Sequence, residues 1–117
     1  MQEILIVGNL GNDPVLREHN GTSVTNLSVA DNRKFTRQSD EGDVEENQVI
    51  WFDVAVWGAQ AEACAKYLTK GRQVLVQGSM IPDEAGNPRT FERNDGTTGT
   101  KFEVRARSVR FLGKADA

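Results

Sequence analysis

Cysteine and histidine each occur once in this chain, as Cys64 and His19, and that scarcity removes several chemistries at the outset. A single thiol cannot close an internal disulfide, and one cysteine with one histidine cannot make a zinc set. Long apolar runs are also missing. Near the N-terminus Ile4 to Val7 is interrupted by Gly8, and no basic segment precedes it, so neither a signal peptide nor a membrane span is expected and the cytoplasm is the default compartment. Without a secretion signal, the triplets Asn20-Gly21-Thr22 and Asn26-Leu27-Ser28 are chance matches to the glycosylation pattern. No G-x-x-x-x-G-K-[ST] phosphate loop occurs, and the acidic stretch from Asp40 to Glu46 lacks calcium-loop spacing. His19, beside the turn dipeptide Asn20-Gly21, reads as a solvated residue rather than a general base, and Cys64 as a buried, inert thiol. The expectation is no enzyme, no cofactor and no metal.

What remains is a 117-residue chain with 38% hydrophobic and 26% charged residues, enough for one water-soluble domain and too little for two. Its formal charge of -3 argues at first against a polyanionic partner. The average conceals the distribution. Five of the seventeen acids lie between Asp40 and Glu46; the rest of the chain carries fourteen basic residues against twelve acidic ones. From Lys66 onward there are ten Lys or Arg against six Asp or Glu, which permits a local basic surface.

Short strand-like runs alternate with turn residues. The expected strands are Glu3 to Leu10, Ser23 to Asp31, Gln48 to Trp57, Gln73 to Met80 and Lys101 to Leu112. Between the second and third, the polar and acidic segment Thr36 to Asn47 reads as a mobile loop. Ala61, Cys64, Ala65 and Leu68 share one face at helical spacing, giving one helix between Gly58 and Gly71. Asp83 to Thr100 is a long polar hairpin region, with Gly86-Asn87-Pro88, Asp95-Gly96 and Gly99 as its turn chemistry. In the last strand Phe102, Val104 and Ala106 face inward, and the parity slips at Val109 and Phe111, which predicts a bulge or a strong bend. Five strands with a helix between the third and fourth is the element order of an all-β OB-fold, a five-stranded Greek-key barrel; other small barrels share the strand count, and the interposed helix and two long polar loops favour OB over an SH3-like barrel.

Period-two alternation in the third strand puts Ile50, Phe52, Val54 and Val56 on the core side and Trp51, Asp53, Ala55 and Trp57 on the other. Phe35 lies in Arg33-Lys34-Phe35-Thr36-Arg37, and Phe91 between Arg89 and Arg93. Aromatic platforms interleaved with cations are what a single-stranded nucleic acid needs, since every base offers a π-face and every nucleotide a charge. The same placement of Trp51 and Trp57 also serves burial in a protein interface, and stacking alone does not separate DNA from RNA. Two rival readings therefore stand beside DNA binding, an accessory OB-fold scaffold and an RNA-binding protein. Arg105 and Arg107 read as solubilising charges on an edge strand.

The stretches ILIVGNLGNDPVLREHNG, VTNLSVADN, WFDVAVWGAQAEACAKYLTKGRQVLVQGSM and KFEVRARSVRFLG resemble the bacterial single-stranded DNA-binding protein family, over essentially all of Ile4 to Gly113. The resemblance implies an OB-fold subunit in a homotetramer, its first strand pairing across a dimer, that binds single-stranded DNA in replication, recombination and repair. It implies base stacking by Phe35, Trp51, Trp57 and Phe91, and phosphate contacts from Arg33, Lys34, Arg37, Lys70, Arg72 and Arg93. On this reading residues 1–113 form the binding domain and 114–117 a short remnant. The flexible linker and acidic tip through which family members recruit other proteins have no counterpart in Lys114-Ala115-Asp116-Ala117, so partners of that kind are not assigned.

Overall fold

The structure, a computed structural model, describes residues 1–113; the expected C-terminal remnant at 114–117 lies outside the described residues. Its elements run β1 (Ile4–Leu10), β2 (Leu16–His19), β3 (Thr22–Ser39), β4 (Gly42–Trp57), α1 (Ala59–Tyr67), β5 (Gln73–Met80), β6 (Thr90–Glu92), β7 (Thr98–Thr100) and β8 (Phe102–Phe111). Five of them form a ring in the order β1-β5-β8-β4-β3, and β1 returns to β3 through the two pairs Asn9↔Ala30 and Leu10↔Val29. The ring is thus only partly closed, with β4 and β8 parallel and its other pairs antiparallel. Inward-facing Ile6, Leu27, Val29, Val54, Val56, Val74, Val76 and Val104 fill it, every one less than 5% exposed. β-Branched residues dominate this list because they suit a pleated surface packed on one side.

Helix α1 plugs one end of the ring. Ala61, Cys64 and Leu68 are buried against the core, as the helical spacing predicted, and burial pushes the Cys64 thiol up to about 11. Gly58 precedes the helix at φ 73°, a left-handed conformation that the sharp passage from β4 into α1 requires and that glycine adopts without strain. The helix is shorter at both ends than the Gly58 to Gly71 span read from sequence, because Leu68 has already left the helical conformation as its N–H caps the Cys64 carbonyl.

Several expectations require correction. Thr36 to Asn47 is not a loop: β3 and β4 pair without interruption from Val24↔Trp57 to Ser39↔Gly42, and only Asp40 and Glu41 turn. The alternation was invisible because this ribbon is solvated on both faces, leaving no apolar side to mark a period of two. It carries the molecule to extents of 58 × 42 × 34 Å and a radius of gyration of 16.3 Å, against about 13 Å for a compact chain of this length. β2 was also missed, since all four of its residues are exposed; His19 ends that strand and the turn is Asn20-Gly21. β6 and β7 add a small separate hairpin inside the expected hairpin region.

β8 bears out the predicted bulge. Gln77 pairs with Ser108 and Gly78 with Ala106, so Arg107 is the extra residue. β8 lies between β4 and β5, so Arg105 and Arg107 do not sit on an edge strand. Phe102 falls in the inward series as expected, opposite Phe52, yet is 52% exposed because it stands at the rim of the ring.

Candidate functional site

Trp51 stands on β4 opposite Ala30, on the outer face as alternation requires, and is 51% exposed. Its ring rests on the backbone of Gly11, just past the end of β1: a methyl group added there would come within 2.5 Å of Trp51 Cζ3. The indole thus packs on Gly11 while about half of the residue stays open to solvent. Beside it runs a shallow groove of about 320 Å³, lined by Asn12, Asn26, Ser28, Asp53 and Lys101. Trp57, at the far end of the same face, is half-buried. The His19 ring meets it edge-on at 6.0 Å, and the Arg105 guanidinium lies 5.6 Å from its centroid. That cation–π contact gives Arg105 a specific position, beyond the solubilising role expected from sequence.

Between the two tryptophans lies Asp53, paired in register with Ser28 on β3 and Glu103 on β8. Lys101 Nζ reaches both carboxylates, at 3.8 Å from Asp53 Oδ2 and 3.4 Å from Glu103 Oε1. Arg89 Nε lies 2.7 Å from Glu103 Oε2, a charge contact without hydrogen-bond alignment. Burial raises the Asp53 carboxyl above its ordinary range; Lys101 partly offsets this, while Glu103 adds to it. A raised carboxyl means that the folded chain holds the proton more tightly than the unfolded one. The resulting stabilisation is complete at pH below about 4 and is lost as pH rises through the raised value. Asp53→Asn is therefore expected to be at least as stable as the parent at pH 7, with any advantage fading under acid. Urea midpoints measured across pH check this.

The remaining predicted residues are more scattered. Phe35 is 41% exposed on the ribbon, opposite Glu46, and Arg33 and Arg37 share its face by alternation. Lys34, opposite Asn47, falls in the alternate series with Trp51 and Trp57. Phe35 and Trp51 thus belong to opposite faces of the ribbon by register, although the twist of a long two-stranded ribbon turns those faces progressively. Arg37 is engaged by Glu46 at 2.7 Å. Phe91 is 41% exposed on the β6–β7 hairpin, with the Arg93 guanidinium 5.4 Å from its centroid, and both side chains cover Gly99. Arg93 also donates to the Thr98 carbonyl at 2.9 Å, which braces the hairpin turn. Lys70 and Arg72 flank Gly71, whose N–H donates to the Leu10 carbonyl, so this turn adjoins the end of β1 under Trp51. Arg72 is partly buried and reaches toward the Tyr67 carbonyl, whereas the Lys70 side chain is exposed.

Sequence reasoning overlooked Lys101 and Asp53 as residues lining the groove beside Trp51. Lys101 counted only toward a basic cluster, and nothing in its neighbours' identity revealed that parallel pairing of β4 with β8 would bring it to Trp51. Among the described residues no group of three or more His, Cys, Asp or Glu could hold a metal ion, and no helix is long and apolar enough to cross a membrane.

Comparison with known proteins gives a consistent picture. The pattern of the "Single-strand binding protein family" matches residues 1–112. Single-stranded DNA-binding protein 2 of Chlorobaculum tepidum is 37% identical over 116 residues, spanning 97% of this chain and 72% of that protein. The single-stranded DNA-binding protein of Clostridium tetani is 32% identical, over 96% of this chain and 70% of its own length. A solved structure of Plasmodium falciparum SSB in complex with ssDNA has the same fold, with a TM-score of 0.74 at 24% identity over 97% of this chain and 96% of that one.

Proposed function

The chain belongs to the single-strand binding protein family, a family of non-enzymatic DNA-binding proteins, and from that premise we propose that it binds single-stranded DNA without sequence preference, protecting it in replication, recombination and repair. The observation that carries the proposal is Trp51, packed on Gly11, half-exposed, and bordered by a groove that Lys101 also lines. In the proposed mechanism bases stack on Trp51, Trp57, Phe35 and Phe91, each contributing about 1 to 3 kcal/mol. Arg33, Lys34, Lys70 and Arg37 neutralise phosphates, the last after exchanging Glu46 for DNA. Arg72 and Arg93 contribute less than the sequence reading expected, since their guanidinium groups already serve the α1 terminus and the β6–β7 hairpin. Residues 1–113 form the binding domain.

Titration with oligo-dT is expected to quench tryptophan emission at low salt, and the affinity to fall linearly on logarithmic axes as salt rises. Unchanged emission, with no change in anisotropy of a labelled strand, would falsify the reading. Competition between matched DNA and RNA oligomers decides the nucleic acid.

The proposal extends to assembly as a homotetramer. Leu5 and Val7 on β1 are 62% and 49% exposed, and on the side towards β3 the strand is paired only at Asn9 and Leu10. An apolar outward face beside unpaired backbone invites antiparallel pairing with the same strand of a second copy. Sedimentation at micromolar concentration separates that assembly from a monomer.

A further inference from the structure

Lys101 borders two depressions at once. One is the groove beside Trp51; the other is a cleft of about 330 Å³ beyond the barrel rim, walled by Met80, Ile81, Pro82, Pro88 and Phe102. Phe102 is the largest exposed wall. Its ring is tilted 45° on Phe52 at 5.7 Å, so one side is fixed by the core while 52% of the residue stays open to solvent. Support behind and access in front are what a stacking platform requires, and Trp51 on its glycine shows the same combination.

The surroundings are organised as well. Lys101 is drawn by Asp53 and Glu103 rather than extending freely, and it lines both the groove that holds Trp51 and the cleft that holds Phe102, whose side chains belong to opposite series by register. The 83–87 turn that forms the cleft's outer wall is held by Asp83, whose Oδ1 accepts hydrogen bonds from the N–H groups of Ala85 and Asn87 at 2.9 and 2.8 Å. Gln2, Asn87 and Thr100 add polar groups suited to base edges.

We propose that the single-stranded DNA track continues from Trp51 across Lys101 into this cleft, where Phe102 stacks a further base and Lys101 holds the phosphate between the two platforms. The inference rests on the DNA-binding reading above. A cation at the junction of two depressions, each with an exposed aromatic wall, fits a strand of alternating phosphates and bases better than an apolar peptide. Lys101 exchanges its carboxylate partners for phosphate when the strand enters.

Anisotropy of a labelled oligo-dT at fixed low salt tests this, with the parent, Trp51→Ala, Phe102→Ala, Phe102→Trp and Lys101→Ala compared alongside their thermal melts. Phe102→Ala is expected to weaken binding about tenfold, Phe102→Trp to restore it, and Lys101→Ala to lower the salt slope by about one. Parent-like binding by Phe102→Ala, together with weakened binding by Trp51→Ala, overturns the continued track and leaves the DNA-binding reading standing. Absence of binding by the parent removes both. If Phe102→Ala melts early, Phe102→Leu decides by the same loss, because leucine keeps an apolar contact with Phe52 and lacks the ring.

Discussion

Trp51→Ala is expected to weaken oligo-dT binding by about tenfold or more at every salt concentration, leaving the salt dependence itself unchanged. A base stacked on an aromatic ring contributes about 1 to 3 kcal/mol, and each 1.4 kcal/mol is a factor of ten. Stacking involves no displaced counterion, so the slope of affinity against salt should be that of the parent, in contrast to the loss of a phosphate-binding lysine. The melting temperature should change little, because half of Trp51 is already in water and Gly11, on which it packs, has no side chain to lose contact with. Trp51→Phe should retain much of the affinity, since a smaller ring still offers a face. Equilibrium titrations at several salt concentrations, paired with thermal melts, check each part. A large fall in melting temperature would assign Trp51 to the fold instead.

Gly78→Ala should produce the largest loss of stability. Gly78 is buried on β5, at the point where β8 bulges and the pairing shifts from Gln77↔Ser108 to Gly78↔Ala106. A methyl group at this position would overlap the Arg105 carbonyl oxygen, a backbone atom that cannot rotate away. Overpacking of this kind costs about 3 kcal/mol, the upper end of the usual range, which lowers the melting temperature of a domain this size by about 10 °C. Gly113→Ala serves as the control, because a methyl group there meets open space, and it should melt as the parent does. Calorimetry or circular dichroism melts read both variants.

Wherever side chains alternate between a dry and a wet environment, the order of residues is enough to reveal the strand and its two faces. Val54 and Val56 lie inside and Trp51 outside for that reason, and the bulge in β8 announced itself as a break in the same alternation. The helix was equally readable from Ala61, Cys64 and Leu68. The signal failed for β2 and for the outer half of the β3–β4 ribbon, where every residue or nearly every residue faces water. There the backbone pairing alone defines the strands, and backbone groups are the same for all sequences.

Residue identity alone ruled out an internal disulfide and a cysteine-based zinc framework, set the inward and outward sides of the third expected strand, and placed aromatics among cations; all three follow from local chemistry and a period of two. The three-dimensional arrangement decided which of those groups meet. Parallel pairing of β4 with β8 brings Lys101 and Glu103 to Asp53. The end of β1 supplies the glycine beneath Trp51, and the barrel rim leaves Phe102 uncovered. Such contacts join residues far apart along the chain, at separations where no short-range pattern constrains the neighbours; only closure of the ring does.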